Sequence, residues 1–288
     1  MIYDVAIIGT GPAGLSAALT LKLHNKNIVW FGPAEMSDKV GKSEKIANYP
    51  GVAMVSGAEL NEKFRSQAEE LGLETLAKRV TNIADMGDRF MVLADNDVYE
   101  TRTVLLTTGI AAAKGMENES RLLGAGVSYC ATCDGFLYKG KTAAVYCTDE
   151  RMAHDIKYLE QTCGKLYIYT SFGYETDAEN AELLKSPVRK LDGFMKCDSV
   201  ELADGTKLDV DGVFILRPAI APSTLFNGLE MDGAHIKVSR SQETNFKGCY
   251  AAGDCTGRPY QITKAVGEGN VAAHSILEYL SELEKENA

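Results

Sequence analysis

The chain is 288 residues long, with 45% hydrophobic and 24% charged residues and a formal net charge of −10. This length suggests about two domains of about 150 residues each, and the composition is that of a globular protein rather than a disordered or fibrous one. The acidic balance disfavours a nucleic-acid partner, which needs a basic face, and no apolar run reaches the roughly 20 residues of a membrane helix.

The first predicted element is a buried strand at residues 3–8, an apolar run that ends at a glycine. It is followed by the turn Gly9-Thr10-Gly11-Pro12-Ala13-Gly14, by apolar residues at helical spacing and by a second strand at 27–31. In such a turn Gly9 permits the tight bend, Gly11 lets a pyrophosphate approach the backbone, and Gly14 lets helix and strand pack closely. The helix N-terminus adds free N–H groups and a partial positive charge. The pattern predicts a nucleotide-binding strand–helix–strand unit, with a purely structural glycine turn as the alternative.

One element of the nucleotide pattern is missing. An acidic residue about 20 positions after the turn normally meets the ribose. Here the strand ends at Phe31-Gly32-Pro33, and Glu35 lies beyond this break. The sequence therefore assigns no residue to the ribose.

The later elements include a second strand–helix–strand pattern, in which the scaffold repeats but the glycines do not. In chain order the predictions are β segments at 90–93 and 104–107, a strand at 142–147, a helix face of Met152, Ile156, Leu159 and Cys163, a strand at 166–169, a hairpin turn at Asp204-Gly205 between 198–202 and 206–210, and an amphipathic helix at about 262–283 with a frayed polar end. Candidate connections between domains lie at 111–115 and 217–222.

The cysteines carry the second chemical signal. Seven cysteines are few and odd in number, so we expect no structural disulfides. We expect a reducing, cytoplasmic location for the same reason. Met1 also leads directly into the first strand, without the basic segment of a signal peptide. Cys130 and Cys133 are two residues apart, a spacing at which thiols open and close a small disulfide ring, and Asp134 beside them is a candidate acid. Half of a zinc site is the alternative, but the chain offers no second ligand pair at matching spacing.

Several ordered motifs together resemble the low-molecular-weight thioredoxin reductases over essentially the whole chain. The matching segments are Gly9–Gly14, Asn48-Tyr49-Pro50-Gly51, Thr107-Thr108-Gly109, Cys130-Ala131-Thr132-Cys133-Asp134, Ala252-Gly253-Asp254 and Gln261-Ile262. The resemblance implies an α/β fold of two Rossmann-like three-layer domains. A discontinuous FAD-binding domain would comprise residues 1–112 and 220–288, with a redox domain at 113–219 that keeps a degenerate NADPH-binding fold.

The resemblance also implies roles for individual residues. Cys133 would meet the flavin, Cys130 would attack the disulfide of thioredoxin, and Asp134 would act as the acid–base. The residues implied in FAD binding are Gly9, Gly11, Pro12, Ala13, Gly14, Asn48, Thr108, Gly109, Gly253, Asp254, Gln261 and Ile262. The partners implied are thioredoxin and a second copy of the chain in a homodimer, with no membrane or metal involved.

The sequence departs from the family where NADPH should bind. The glycine turn is replaced by Tyr146-Cys147-Thr148, and the expected arginine site reads Tyr169-Thr170-Ser171. A non-glycine residue in a left-handed turn costs about 1–2 kcal/mol. A carboxylate of Asp149 or Glu150 at 4 Å from a phosphate repels it by about 4 kcal/mol at an effective dielectric near 20, which Arg151 offsets in part.

This departure makes the chain similar to the ferredoxin-dependent flavin thioredoxin reductases of anaerobic bacteria. Ferredoxins near about −400 mV can reduce thioredoxin near about −270 mV, a two-electron gain of about 6 kcal/mol. Lys39, Lys42 and Lys45 form a candidate docking patch for ferredoxin, or else a solvated loop. The alternatives are a flavin-dependent dithiol oxidase, an NADPH reductase with an aberrant site and a non-catalytic flavin redox sensor.

Overall fold

The structure, a computed structural model, describes residues 1–109, 116–129, 131–217 and 222–286, apart from the side chains of Ser120 and Cys133. The chain divides into two compact units, Met1–Ala111 with Pro222–Ala288 and Ala112–Ala221. The domain boundaries predicted at 112 and 219 lie outside the described residues, as do the connection predicted at 111–115 and most of the one at 217–222.

The first unit begins with a parallel arrangement of three strands around a glycine turn. Its N-terminal elements are β1 (Ile2–Ile8), α1 (Pro12–Leu23), β2 (Ile28–Phe31), α2 (Asp38–Gly41), α3 (Gly57–Glu70), β3 (Val80–Asp85), β4 (Phe90–Ala94) and β5 (Asp97–Leu106). Strand β1 lies between β2 and β5 and is parallel to both, while β3, β4 and β5 form an antiparallel meander. The predicted strand–turn–helix–strand unit is confirmed, and the turn lies at the carboxyl end of β1.

Helix α3 is an element that the periodicity analysis missed. It begins at a capping box, in which the Ser56 side chain accepts from the Glu59 backbone N–H and the Glu59 carboxylate accepts from the Ser56 backbone N–H. This reciprocal pair satisfies two donors that a helix otherwise leaves free. The Ser-x-x-Glu spacing at residues 56–59 was a readable signal for the helix start.

The second unit is built on a five-stranded parallel sheet. Its elements are α4 (Glu119–Leu122), β6 (Val127–Ser128), α5 (Ala131–Asp134), β7 (Thr142–Cys147), α6 (Ala153–Thr162), β8 (Lys165–Thr170), β9 (Ala181–Leu183), β10 (Val188–Asp192), β11 (Ser199–Leu202), β12 (Lys207–Asp209) and β13 (Gly212–Leu216). The parallel sheet has the order β6-β13-β7-β8-β9, and β10-β11-β12 form a separate antiparallel sheet. The hairpin predicted at Asp204-Gly205 is confirmed by the pairing of β11 with β12.

The chain then returns to the first unit and completes its sheet. The C-terminal elements are α7 (Pro222–Leu225), β14 (Met231–Asp232), β15 (His235–Ile236), β16 (Cys249–Ala251) and α8 (Ile262–Glu286). Strand β16 pairs in parallel with β5. Helix α8 packs on α1, where Ser16 Oγ donates to the Val266 carbonyl at 2.8 Å and Asn270 Nδ2 donates to Thr20 Oγ1 at 3.1 Å.

The end of α8 corrects one prediction. The polar end from 281 was expected to fray, but the helix continues to Glu286. Leu283 packs against the core of the unit, and Glu284 pairs with Lys26 at 3.4 Å, so the last turns have tertiary contacts that composition does not reveal. No helix in the described ranges combines the length and the apolar character needed to cross a membrane.

Candidate redox active site

The turn after β1 can be formed only by glycines at two of its positions. Gly9 has φ +118°, and a Cβ there would lie 2.3 Å from the Thr107 carbonyl oxygen. A Cβ on Gly14 would lie 2.1 Å from the Gly9 carbonyl oxygen. At Gly11 an added Cβ would meet nothing within 4 Å, so the protein itself leaves space there, as expected where a ligand approaches the backbone.

The N-terminus of α1 is open to an anion. Its N-cap is Gly11, which makes no side-chain cap, Pro12 occupies the first turn, and that turn carries no acidic residue. The first N–H groups of a helix have no partner within the helix, and the helix dipole favours negative charge beside them. These properties fit a dinucleotide pyrophosphate at this end of α1.

A buried hydroxyl at the next predicted site residue supports the same fit. Thr107 Oγ1 donates within the unit, at 3.0 Å from the carbonyls of Ile8 and Gly9. In contrast, Thr108 Oγ1 is buried and has no hydrogen-bond partner among the described residues. Buried polar atoms are rarely left unpaired in native proteins. A cofactor beside Thr108, with Gly109 following it at φ +68°, would satisfy this hydroxyl.

The structure brings the remaining predicted cofactor residues together around the start of α8. A Cβ on Gly253 would lie 3.0 Å from Ala13 Cβ, so the two glycine segments meet. Asn48 Nδ2 donates to Gln261 Oε1 at 2.9 Å, directly before Ile262 begins α8. The arrangement of these residues fits FAD, although their individual roles stay predictions.

Asp254 has a partner that the sequence did not indicate. Its Oδ2 accepts from Lys39 Nζ at 2.5 Å, and the same ammonium lies 5.0 Å from the centre of the Tyr260 ring. Lys39 is therefore engaged with the cofactor segment and is a poor member of a ferredoxin patch. Lys42 and Lys45 remain exposed at the end of α2 and beyond it.

The dithiol itself is only partly described. Cys130 and the side chain of Cys133 lie outside the described residues. Helix α5 places Asp134 so that its Oδ2 accepts from Ser128 Oγ at 2.6 Å, which fixes the orientation of the carboxyl group. Sequence reasoning missed Ser128, which lies at the end of β6, two residues before Cys130.

A buried ion pair lies close in sequence to both domain connections. Arg217 Nη2 donates to Glu119 Oε1, and the side chains are only 5% and 2% exposed. The same carboxylate accepts from the Tyr129 hydroxyl and, at 2.7 Å, from the backbone N–H of Met116. The cluster therefore ties the residue before Cys130 to the end of β13. The only sequence signal for this cluster was the charged residue Arg217, which follows the apolar strand at 212–216.

The turn after β7 is closed by the chain's own side chains. The Asp149 carboxylate caps the short 3₁₀ turn Glu150–Met152 by accepting from the Arg151 N–H at 3.1 Å. Arg151 also donates from Nε at 3.0 Å and from Nη2 at 2.9 Å to the same carboxylate. None of residues 146–151 has a positive φ. The left-handed strain expected here is therefore absent, because this turn follows a different backbone path from the glycine turn.

Two aromatic rings stack on each other near the carboxyl ends of neighbouring strands. Tyr146 on β7 and Tyr169 on β8 are paired in register, and their rings stack with centroids 5.3 Å apart and planes inclined by 14°. In this type of sheet ligands bind beyond the carboxyl ends of the strands. The tyrosines and Asp149 occupy that edge of the second unit.

The remaining cysteines are buried thiols without redox partners among the described residues. Burial raises the pKa of Cys163 and Cys197 to about 11 and that of Cys249 and Cys255 to about 12. Cys255 Sγ lies 3.3 Å from the Ala252 carbonyl oxygen. Thiols with raised pKa are poor nucleophiles. Within the described ranges no group of three or more His, Cys, Asp or Glu side chains is placed to hold a metal ion.

Comparison with known proteins defines the class. Residues 3–151 and 183–269 match the family described as pyridine nucleotide-disulphide oxidoreductase, and the chain belongs to this family. The predicted α/β fold with Rossmann-like domains is thereby confirmed. Thioredoxin reductases of this family bind FAD, which confirms the predicted cofactor.

Individual relatives narrow the class further. The chain is similar to the thioredoxin reductases of Bacillus subtilis (30% identity, 99% of this chain and 96% of that one) and Helicobacter pylori (32%, 97% and 99%). A solved ferredoxin-flavin thioredoxin reductase from Clostridium acetobutylicum is 38% identical over 99% of both chains, with a TM-score of 0.88. These similarities support thioredoxin reductase as the enzyme class of the chain, with thioredoxin as the substrate.

Proposed function

We propose that this thioredoxin reductase takes its electrons from reduced ferredoxin rather than from NADPH. They would pass through FAD to the Cys130/Cys133 pair and then to the disulfide of thioredoxin. The observation that carries the proposal is the Asp149 carboxylate at the turn after β7. A homodimer and a cytoplasmic location, which the family resemblance and the cysteine usage imply, stay predictions.

The Asp149 carboxylate opposes a pyridine dinucleotide in two ways. It accepts the Arg151 N–H, a backbone donor of the turn in which the family's glycine motif binds phosphate. It also engages the Arg151 guanidinium, the one cation of the Asp149–Arg151 segment. A phosphate at 4 Å from a carboxylate is repelled by about 4 kcal/mol at an effective dielectric near 20, and the Arg151 guanidinium offsets part of this repulsion.

The stacked tyrosines add a steric argument. Tyr169 begins the segment in which the family carries arginines for the 2′-phosphate, and Tyr169-Thr170-Ser171 contains no cation. Its ring is packed against Tyr146 near the carboxyl ends of β7 and β8, the end of the sheet at which dinucleotides bind in this fold. Two solved structures of the Clostridium acetobutylicum ferredoxin-flavin thioredoxin reductase, at 38% and 40% identity, support the same donor.

The proposed reaction balances with a one-electron donor. Two reduced ferredoxins each lose one electron, and two protons are taken up as one disulfide becomes two thiols. FAD, when bound, supplies the link between one-electron donation and two-electron disulfide reduction. The open α1 N-terminus and Thr108 would hold it, and Asp134, oriented by Ser128, would hold or release the proton of the Cys133 thiol.

The donor is tested by anaerobic reduction of the purified FAD-loaded protein. NADPH, NADH and reduced ferredoxin are each added to separate samples, and the flavin absorbance is followed. We expect bleaching by ferredoxin and none by either nicotinamide, followed by recovery of the colour when oxidised thioredoxin is added. Rapid bleaching by NADPH would refute the argument from Asp149. Bleaching by small dithiols with recovery under air, but not by ferredoxin, would favour the dithiol oxidase.

A further inference from the structure

The hairpin between β10 and β11 ends in two apolar side chains that the fold does not use. Phe194 is 92% exposed and Met195 is 85% exposed. Single exposed apolar residues are common on soluble proteins. An adjacent phenylalanine and methionine are different, because these two residue types are enriched in the buried centres of protein interfaces.

The tip is held in one conformation by the residues around it. Arg121 donates from Nη2 to the Gly193 carbonyl at 2.8 Å and from Nη1 to the Phe194 carbonyl at 3.1 Å. Gly193 has φ +140°, and a Cβ there would lie 1.9 Å from the Lys196 carbonyl oxygen, so the turn requires glycine. A preformed apolar tip loses little conformational entropy on binding a partner. The fold therefore holds the backbone from which these two side chains project.

The base of the tip is anchored beside the segment that leads to the dithiol. Cys197 is fully buried, and its backbone N–H donates to the Ala125 carbonyl at 2.8 Å. The chain from Ala125 to Cys130 spans at most about 18 Å.

We propose that Phe194 and Met195 form a contact surface for thioredoxin. A mixed disulfide brings thioredoxin against Cys130, and an interface of about 800 Å² per partner is about 30 Å across, which is wide enough to include the tip. Phe136 and Leu137, at 63% and 53% exposed, lie two and three residues beyond the redox helix and offer further apolar contacts beside the dithiol segment. The proposal rests on the thioredoxin step of the proposed function and is independent of the electron donor.

The test uses the variant Phe194→Ser/Met195→Ser and a thioredoxin assay that needs no ferredoxin. Photochemically reduced, FAD-loaded enzyme is mixed anaerobically with increasing oxidised thioredoxin, and flavin reoxidation is followed. We expect the half-saturating thioredoxin concentration to rise about tenfold or more, as for the loss of interface hot spots. The rate at saturation, and the rate with the small disulfide 5,5′-dithiobis(2-nitrobenzoate), should not change, because the tip takes no part in the chemistry.

Met86→Ser is the matched control, since Met86 is 54% exposed at a hairpin turn of the first unit and should leave the thioredoxin half-saturation unchanged. An unchanged half-saturating thioredoxin concentration in the tip variant would overturn the proposal. If the variant instead changed the monomer–dimer equilibrium or the rate of flavin reduction by ferredoxin, the tip would serve another contact and the proposal would also fall. Equal losses with thioredoxin and with the small disulfide would mean a damaged active site and would also overturn it. If the wild-type enzyme fails to reduce thioredoxin, the thioredoxin step and the tip proposal both fall, whereas failure of the ferredoxin donor alone leaves this assay intact.

Discussion

Two glycines in helix α8 provide a matched pair of variants that tests the packing of α8 against α1, beside the residues predicted to hold FAD. Gly269 is buried, and a Cβ there would lie 2.1 Å from the Ala13 carbonyl oxygen and 2.9 Å from its carbonyl carbon. Gly267 lies on the same helix but is exposed, and a Cβ there would meet nothing within 4 Å. The two positions differ in their surroundings and not in their helical backbone.

The expected magnitudes follow from these distances. Each Gly→Ala change gains about 1 kcal/mol of helix propensity, so this gain cancels when the two variants are compared. Gly269→Ala also forces α8 away from the backbone of α1, and overpacking of this kind costs about 1–3 kcal/mol. For a unit of this size 1 kcal/mol moves Tm by about 2–4 °C. Gly267→Ala should therefore raise Tm, and Gly269→Ala should lie about 2–12 °C below it.

The cofactor supplies a second readout. Ala13 is in the first turn of α1 and touches Gly253, so displacing α8 disturbs both segments predicted to hold FAD. We expect Gly269→Ala to purify with less FAD and to bind added FAD more weakly, measured by the quenching of flavin fluorescence. Gly267→Ala should bind FAD like the wild type. Equal FAD affinity and equal Tm in the two variants would refute the proposed role of the α1–α8 contact.

The remaining predictions concern the exposed lysines and the buried ion pair. Lys42→Glu/Lys45→Glu should slow flavin reduction by ferredoxin about tenfold at low salt, with the effect fading as salt screens the charges. Lys63→Glu, an exposed charge reversal on α3, is the control, and an unchanged rate constant at low salt would contradict the docking role. Tyr129→Phe removes the hydroxyl that donates to Glu119 and should lower the unfolding free energy by about 1.5–3 kcal/mol, measured by urea denaturation. An unchanged midpoint with an unchanged slope would show that this hydrogen bond stabilises nothing.

The elements that local pattern predicted well are those in which the local pattern and the tertiary contacts agree. The apolar run of β1, the glycine turn and the helical spacing of α1 all indicate one structure, and the structure has it. Helix α3 was missed because its buried apolar positions, Leu60, Phe64 and Ala68, are few and stand among charged residues. The frayed end of α8 was a wrong prediction, because polarity indicates solvent while Glu284 pairs with a lysine far away in sequence.

The candidate site also shows that local sequence does not predict the partners of a side chain. Local sequence indicated the residue types at the cradle and the dithiol, but it contained no signal for their partners. Lys39 was assigned to a docking patch on its neighbours in sequence, whereas it pairs with Asp254, more than two hundred residues away. Glu119 and Arg217, which form an ion pair, are also far apart in the sequence, at a separation of 98 residues. Pairings of this kind depend on the fold, and periodicity within one segment cannot reveal them.

The two strand–turn–helix units of this chain differ in what satisfies the backbone N–H donors at the turn. After β1 the helix N-terminus follows glycines, has no side-chain cap and has no acidic residue in its first turn, so its donors are left for a ligand. After β7 the corresponding turn is capped by Asp149, whose carboxylate also pairs with the Arg151 guanidinium. Under the proposed function, a dinucleotide site would be removed without changing the fold, because the donors of this turn are satisfied from within the chain. The fold and the family similarity identify the reductase class. The proposed electron donor rests instead on Asp149 and its neighbours, so the anaerobic test with NADPH and NADH is a direct test of that argument.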